Sequence, residues 1–315
     1  MIPLASPAST VVTIHDLSLK LYPHCHPVRR LWLNRPLMQV AIGQASAIVA
    51  VSHSTRRDLL RLHGVPAERV SVVHEAASPV FRPILDRGRL ALIRAKYGLP
   101  ERFILYVGTI EPRKNLGRLM AAIAQARAEG IPHHLVCIGP YGWSSRDLAG
   151  LIERLDLARY VHFTGYVPFE DLPALYNLGE LFVFPSLYEG FGLPVVEAMA
   201  CGTPVITANS SSLVEIAGDA AITVDPASTD ALADAIRALA MDAARRRDLS
   251  ERGLERSRSF SWTQTAKEML AVYQRAAGVA ATAPALTAPA ATTPEPRAQS
   301  DGAVGAKPAA PGSWS

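Results

Sequence analysis

The chain has 315 residues, 49% of them hydrophobic and 19% charged, with a net charge of +4. At roughly 150 residues per domain this length suggests two domains, with apolar content ample for folding without disulfides. The mild basic excess contains no run of five like charges, which argues against a nucleic-acid arm and suits a phosphate-bearing ligand or an anionic membrane surface.

The first half reads as short strands alternating with helices. Val11, Val12, Thr13 and Ile14 form a β-branched run that exits at His15 and Asp16, as a buried strand and its loop do. Residues 28–45 read as a helix and 47–51 as a second strand. Ser52 caps a further helix and Gly64 stops it. Residues 70–73 form a third strand, and Pro79 and Pro83 mark the exit into a connecting segment.

A second series begins at Phe103. Strands are predicted at 103–107, 134–138, 161–163, 181–184, 204–207 and 221–224. Helices are predicted at 115–129, 145–155, 170–176, 194–200 and 229–241. Such alternation implies parallel βαβ units with helices on both faces of the sheet, and ligands bind at the carboxyl ends of such strands. A last helix spans 262–275. From residue 277 onward the chain is rich in Ala, Pro and Thr and reads as a disordered tail.

The most informative stretch runs from Phe184 through Glu189, Gly190, Phe191, Gly192, Leu193, Pro194 and Glu197 to Gly202 and Pro204. A strand ends, a loop with two glycines follows, and a helix opens on Pro194. Backbone N–H groups at that helix N-terminus attract an anion such as a diphosphate, and the glycines let a ligand approach the backbone. Glu189 and Glu197 supply carboxylates suited to paired hydroxyls, as against plain first-turn charges favoured by the helix dipole. A second strand–turn–helix junction carries Gly108, Thr109, Glu111, Pro112, Arg113, Lys114 and Asn115. Lys114 opposes the helix dipole there, which calls for an anion nearby. Arg113 either assists it or is solvated.

Cys25, Cys137 and Cys201 are odd in number and far apart, which fits a reducing compartment. His24, Cys25 and His26 lack a second ligand group at useful spacing, so no metal is expected. No apolar run reaches the ~18 residues of a membrane span, and the N-terminus does not read as a signal peptide. These readings place the chain in the cytoplasm.

Taken together, these residues resemble a known group. Glu189 to Pro194, with Glu197 eight positions after Glu189, resembles the paired-glutamate signature of the family 4 retaining glycosyltransferases. Gly108 to Asn115 is similar to that family's phosphate-binding turn. Thr164, Gly165, Tyr166 and Val167 resemble its base-contacting segment, and Thr13 to Asp16 the segment bearing an active-site histidine. The resemblance implies the α/β GT-B fold, two Rossmann-like doubly wound lobes with a cleft between them. The lobes would span 1–95 (acceptor side, incomplete) and 96–260 (donor side), with a helix at 261–276 packing back on the first.

It further implies a nucleotide-sugar donor (GDP- or UDP-linked), a glycan or lipid-linked acceptor, no metal and no nucleic acid. Lys114 would contact the diphosphate with Gly108, Thr109 and Arg113 around it, and Glu197 the ribose. Glu189, Gly190, Phe191, Gly192 and Leu193 would hold the sugar, and Gly165, Tyr166 and Val167 the base. His15 would reach the sugar from the other lobe, with Asp16 orienting it. Catalysis is thus assigned to His15, Glu189 and Lys114, with charge on the leaving diphosphate stabilised by Lys114 and helix N–H groups.

Three departures stand out. Thr109 occupies a position where the family often has arginine. His74, Glu75, Ala76 and Ala77 replace an Asn-Gly turn. The first lobe is short: the family's opening strands and glycine-rich acceptor loop are missing, which would leave an exposed sheet edge. A late start, a protein partner covering the edge and a degenerate copy all remain open. The rival reading is therefore a catalytically silent nucleotide-sugar-binding subunit that needs a partner. A nicotinamide oxidoreductase is disfavoured, because no strand is followed by a G-x-G-x-x-G turn. Arg29, Arg30 and Arg35 around Leu31, Trp32 and Leu33 fit either a helix packed on its own sheet or peripheral contact with the inner face of a membrane.

Overall fold

The computed structural model of the chain describes residues 8–142 and 148–278. The first part comprises β1 (Val11–Ile14), α1 (Ser18–Leu21), α2 (Val28–Gln44), β2 (Ala47–Ala50), α3 (His53–His63) and β3 (Val70–Val72). The three strands are parallel, in the order β1-β2-β3. Both ends of α3 follow from local sequence. The Ser52 side chain accepts a hydrogen bond from Thr55 N, and Gly64 closes the helix at φ 61°, a left-handed conformation that glycine adopts without strain.

Ile14, Ile48, Ala50 and Val70 pack on one side of this sheet with Ile42 of α2 and Leu59 of α3. The long α2 buries Ile42 alone. Val28, Trp32 and Leu33 are 67%, 80% and 64% exposed, so this stretch points outward and does not pack on its own sheet. Among the described residues no strand pairs with the outer edge of β1.

A connecting segment carrying α4 (Arg87–Lys96) leads to the second sheet. There follow β4 (Phe103–Val107), α5 (Leu116–Ala128), β5 (His134–Ile138), α6 (Leu148–Arg154), β6 (Val161–Gly165), α7 (Leu172–Leu178), β7 (Leu181–Phe184), α8 (Leu193–Ala200), β8 (Val205–Ala208), α9 (Leu213–Ala217) and β9 (Ile222–Val224). Three helices complete the described chain: α10 (Thr229–Met241), α11 (Ala243–Arg258) and α12 (Trp262–Ala276). The six strands run parallel in the order β6-β5-β4-β7-β8-β9. This is the doubly wound arrangement, in which the chain reverses direction across the sheet between β4 and β7 and opens a crevice at their carboxyl ends. Every residue of β7 is buried, as a central parallel strand covered on both faces requires.

The other side of the first sheet is closed by α12, whose Val272 packs with Val49 and Val73. Thr265 Oγ1 donates to the carbonyl of His74 at 2.7 Å, and Arg275 to Ser71 Oγ at 2.9 Å. The fold is α/β throughout, with two parallel sheets flanked by helices.

Several elements differ from the sequence expectation. The helix expected from residue 115 begins at Leu116, because Asn115 is left-handed (φ 61°). Helices α1, α4, α9 and α11 were not anticipated. Part of the helix expected at 145–155 lies outside the described residues, which resume with α6. Almost all of the expected disordered tail, from residue 279 on, also lies outside them.

Candidate active site at the carboxyl ends of β4 and β7

The turn after β4 is built around Gly108. It lies so close to the β5 turn that a Cβ on Gly139 would sit 2.2 Å from the Gly108 carbonyl. The chain then makes one 3-10 turn, Pro112–Lys114, before α5. The Asn115 side chain donates to the carbonyls of Pro185 (3.1 Å) and Pro226 (2.8 Å). It thereby ties the ends of β4, β7 and β9 together and fixes the backbone that carries Lys114.

Lys114 Nζ lies 2.6 Å from Glu189 Oε1 and 5.0 Å from the centre of the Phe184 ring. Arg113 places one guanidinium nitrogen 3.0 Å from Glu189 Oε2 and another 2.7 Å from Glu111 Oε1, and it also donates to the carbonyl of Tyr188. Its side chain is 9% exposed, so the solvated reading of Arg113 does not hold. Each Glu189 oxygen therefore faces a cation. Burial opposes ionisation of Glu189, but the charges of Lys114 and Arg113 outweigh it and hold its pKa below the usual carboxylate range. The anion that explains a lysine in this turn is Glu189 itself.

The loop after β7 is fastened to the loop after β4. Leu187 N donates to the Arg113 carbonyl at 2.9 Å. Glu189 N donates to Ser211 Oγ at 2.9 Å, and Ser212 Oγ lies 2.9 and 2.7 Å from the carbonyls of Glu189 and Phe191. Gly192, at φ 118°, turns the chain into α8. Among the described residues no group accepts from the N–H groups of Gly190, Phe191 and Gly192. These three donors precede a helix N-terminus, the arrangement that attracts an anionic or strongly polar ligand. Leu193, the first residue of α8, packs against the core.

Glu197 sits in α8, and Tyr176 of α7 donates its hydroxyl to Glu197 Oε2 at 2.8 Å. Burial raises the Glu197 pKa, against the pull of that hydrogen bond. Sequence reasoning did not single out Tyr176. The available signal was general: a buried tyrosine hydroxyl needs a partner.

The first sheet supplies the opposite wall. His15 follows β1, and its Nδ1 lies 3.1 Å from Glu75 Oε1. The hydrogen bond that the His15 ring donates to Glu75 raises the His15 pKa above its ordinary value. Asp16, expected to orient His15, is engaged elsewhere: its carboxylate accepts from Ser18 N (2.9 Å) and Ser18 Oγ (2.7 Å). Glu75 takes that place, and it belongs to the segment that departs from the family pattern.

The main chain of His15 meets Gly190 so closely that a Cβ there would lie 1.5 Å from the His15 carbonyl oxygen. Thr55 Oγ1 donates to the Gly190 carbonyl at 3.1 Å, and Tyr188 OH to Asp58 Oδ2 at 2.9 Å. The glycine loop of the second sheet thus rests directly on α3 and on the loop after β1.

Gly165 ends β6 and Tyr166 and Val167 follow it, two strands beyond β4, roughly 10 Å away across the sheet. Tyr166 is 77% exposed, while the Val167 side chain is in the core at 5%. Any base contact at Val167 therefore comes from its main chain, not its side chain. Thr109 is half-buried in the turn after Gly108.

Comparison with known proteins agrees with this architecture. The family model described as Glycosyl transferases group 1 matches residues 91–256, and that described as Glycosyltransferase Family 4 matches residues 2–78. The O-antigen chain mannosyltransferase B of Escherichia coli is 36% identical over 266 residues, covering 84% of this chain and 70% of the relative. The serotype-specific mannosyltransferase WbdA of Escherichia coli is 33% identical over 269 residues, covering 82% of this chain and 32% of that longer protein. Among solved structures, HepE of Anabaena in complex with UDP and glucose superposes with a TM-score of 0.73 at 22% identity, covering 84% of this chain and 71% of HepE. The first family model alone matches just over half of the sequence, and the chain belongs to the glycosyl transferases group 1, the family 4 glycosyltransferases of GT-B fold.

Proposed function

We propose that the chain transfers a hexosyl group, mannose first among the candidates, from a GDP- or UDP-sugar to a glycan or lipid-linked acceptor with retention of configuration. The observation that carries this reading is the Lys114–Glu189 pair at the β4/β7 crevice, beside three backbone N–H groups that have no acceptor among the described residues. On this reading the donor diphosphate takes Lys114 from Glu189 and lies against Gly108 and Thr109. Glu189, freed on one oxygen, and the N–H groups of Gly190, Phe191 and Gly192 hold the sugar. Glu197, oriented by Tyr176, receives the ribose hydroxyls, and the base lies toward Gly165, Tyr166 and Val167.

The acceptor hydroxyl attacks the anomeric carbon from the face that the diphosphate leaves. The carbon–oxygen bond to the diphosphate breaks through an oxocarbenium-like state, and the acceptor proton passes to the departing diphosphate oxygen. Lys114 and the loop N–H groups stabilise the developing charge, so no metal is needed in the donor site. His15, held by Glu75, faces the sugar from the first lobe. Mannose as the sugar is supported by the names of the two Escherichia coli relatives. UDP as an alternative carrier is supported by its presence in HepE.

No described helix is long and apolar enough to cross a membrane. The outward Val28, Trp32 and Leu33 of α2, beside Arg29, fit peripheral contact with an anionic membrane surface on the cytoplasmic side.

Calorimetric titration with UDP-, GDP- and dTDP-sugars, run beside Lys114→Ala and Glu197→Ala, tests the reading. One nucleotide sugar should bind saturably. Loss of a charge-assisted contact worth about 1.5–3 kcal/mol should weaken it roughly 10- to 100-fold in each variant. Binding to none of them would favour the silent, partner-dependent subunit.

A further inference from the structure

A second cluster of chemistry-bearing side chains lies beside the glycine loop, separate from the Lys114–Glu189 pair. His53 opens α3, Glu215 is in α9, and His74 follows β3. One ligand atom from each lies within 4.8 Å of the other two, the only such trio of His, Cys, Asp and Glu among the described residues. The tight His24, Cys25 and His26 group does not form one. We propose that His53, His74 and Glu215 bind a divalent transition ion, zinc foremost, and that the bound ion bridges the first and second lobes.

Two imidazoles and one carboxylate suit zinc, nickel or copper, and not magnesium or calcium, which prefer sites built wholly of oxygen. His74 Nε2 is 2.7 Å from Glu215 Oε1, and the two histidine rings are 5.7 Å apart between centres. Ligand atoms about 2.0–2.1 Å from a tetrahedral zinc stand roughly 3.3 Å apart. The close pair has to open by a few tenths of an ångström and the third atom has to draw in, motions that side-chain rotation provides.

The carboxylate is already oriented. Glu215 Oε1 accepts from His53 N at 3.0 Å and Oε2 from Ser54 N at 3.1 Å, outer hydrogen bonds of the kind that hold metal-ligating carboxylates. Oε2 keeps a further lone pair, and Oε1 regains one when His74 turns from proton donor to metal ligand. The His74 main chain is fixed by Thr265, and its ring is flanked by Phe191 and Phe260 at 6.0 and 5.7 Å, an apolar wall that lowers the local dielectric. His53 is exposed and leaves an entry path from solvent.

Without an ion, the His74 ring donates its Nε2 proton to Glu215. The ion replaces that proton at Nε2, and the proton moves to Nδ1 of the same neutral ring, so the imidazole keeps its charge. Because the ligands come from both sheets and Phe191 packs on His74, occupancy fixes the two lobes against each other beside the glycine loop. This inference stands apart from the donor chemistry proposed above.

The test uses the full chain without a polyhistidine tag, titrated calorimetrically with zinc chloride, with magnesium chloride as control. Wild type should bind one zinc with a dissociation constant on the order of micromolar and should not bind magnesium. His53→Ala and His74→Ala should each weaken zinc at least roughly tenfold. His134→Ala, which removes one member of the separate His134–His162 pair (2.9 Å), should not. Cobalt in place of zinc should give visible absorption bands that disappear in the same two variants. His53 is at the surface, so His53→Ala retains the fold, with circular dichroism as the check. Absence of saturable zinc binding in wild type, or binding that survives in both histidine variants, overturns the proposal.

Discussion

Replacing Gly190 with alanine is the sharpest probe of how the lobes and the site are joined. The added Cβ would lie 1.5 Å from the His15 carbonyl oxygen, 2.6 Å from its carbon and 3.0 Å from Asp16 Cβ. All three neighbours are backbone or the first side-chain atom, so none can swing away. Non-bonded heavy atoms rest about 3.5 Å apart, so the loop and the first lobe have to separate by roughly 2 Å. That movement breaks the Thr55–Gly190 bond (3.1 Å) and strains the Tyr188–Asp58 bond (2.9 Å). It also displaces Glu189, the neighbouring residue, from Lys114. Overpacking of this kind costs about 1–3 kcal/mol, which lowers Tm by roughly 2–5 °C in a chain of this size. A misplacement of about 1 Å in a catalytic constellation costs on the order of 100-fold in rate. Gly190→Ala should therefore lose at least that much in kcat/KM while remaining folded by circular dichroism. Gly43→Ala is the control. It lies in α2 with nothing within 4 Å of the added Cβ, and it should stabilise by about 0.5–1 kcal/mol with activity unchanged. Wild-type Tm and kcat/KM in Gly190→Ala would refute the idea that the His15 loop and the glycine loop are in contact in the working protein.

Tyr176→Phe removes the hydroxyl that serves the half-buried Glu197 carboxylate. It should cost about 1–3 kcal/mol while Glu197 is ionised and less as pH falls and Glu197 takes up a proton, which its raised pKa brings on at a higher pH than for a free glutamate; thermal melts across the acid range check this. Glu189 has a lowered pKa in the folded chain, so its stabilising contribution is complete above the unfolded value of about 4.3 and is lost as pH falls through the lower folded value. Glu189→Gln should flatten that acid limb, read from Tm between neutral pH and the acid transition. His15 is shifted the other way. Its contribution is present below the unfolded value of about 6.5 and disappears as pH rises through the raised folded value. Glu75→Gln should move the His15 titration midpoint downward in an NMR titration, whereas Asp16→Asn should move it less.

The second sheet was legible because its strands are continuous apolar runs such as Phe103 to Val107 and Leu181 to Phe184, bounded by Gly, Pro or Asn. Such runs belong to parallel strands covered on both faces. The helices that escaped notice had weaker patterns. Helix α11 is rich in arginine and buries only Leu249 and Gly253, so its apolar periodicity is faint. Helix α4 buries only Ile93 and follows a proline-rich exit, where loop signals dominate. Helix α9 has five residues, too few for a helical period to show. In each case tertiary contact or a local cap supplies what the pattern lacks. Asp86 caps α4 and Asp242 caps α11 through their side chains.

The candidate site divides along the same line. Residues grouped in a motif, such as Glu189 to Gly192, could be named from sequence. Their partners could not, because pairing depends on which strand ends are neighbours. Lys114 and Glu189 are 75 positions apart and meet only because β4 lies beside β7. Glu75 reaches His15 only because β3 and β1 flank β2, and the local sequence pointed instead to the adjacent Asp16.

The pairing also gives the consecutive cations Arg113 and Lys114 separate tasks. Arg113 is locked between Glu111, Glu189 and the Tyr188 carbonyl, and removing it would leave the buried Glu111 carboxylate uncompensated and Glu189 with Lys114 alone, a costly arrangement. Lys114 has the simpler attachment, a contact with one Glu189 oxygen beside the Phe184 ring. On the proposed reading a donor diphosphate exchanges with that oxygen for Lys114, while Arg113 keeps the carboxylate ionised from its other side. The exchange swaps one anion for another at Lys114, so no buried charge is left bare, and it frees Glu189 Oε1 to accept a sugar hydroxyl. Arginine is suited to the fixed task because its planar fork satisfies several acceptors at once, and lysine to the exchangeable one because its charge sits on a flexible stem. Swapping the two, Arg113→Lys with Lys114→Arg, should therefore impair both stability and donor binding although the net charge is unchanged.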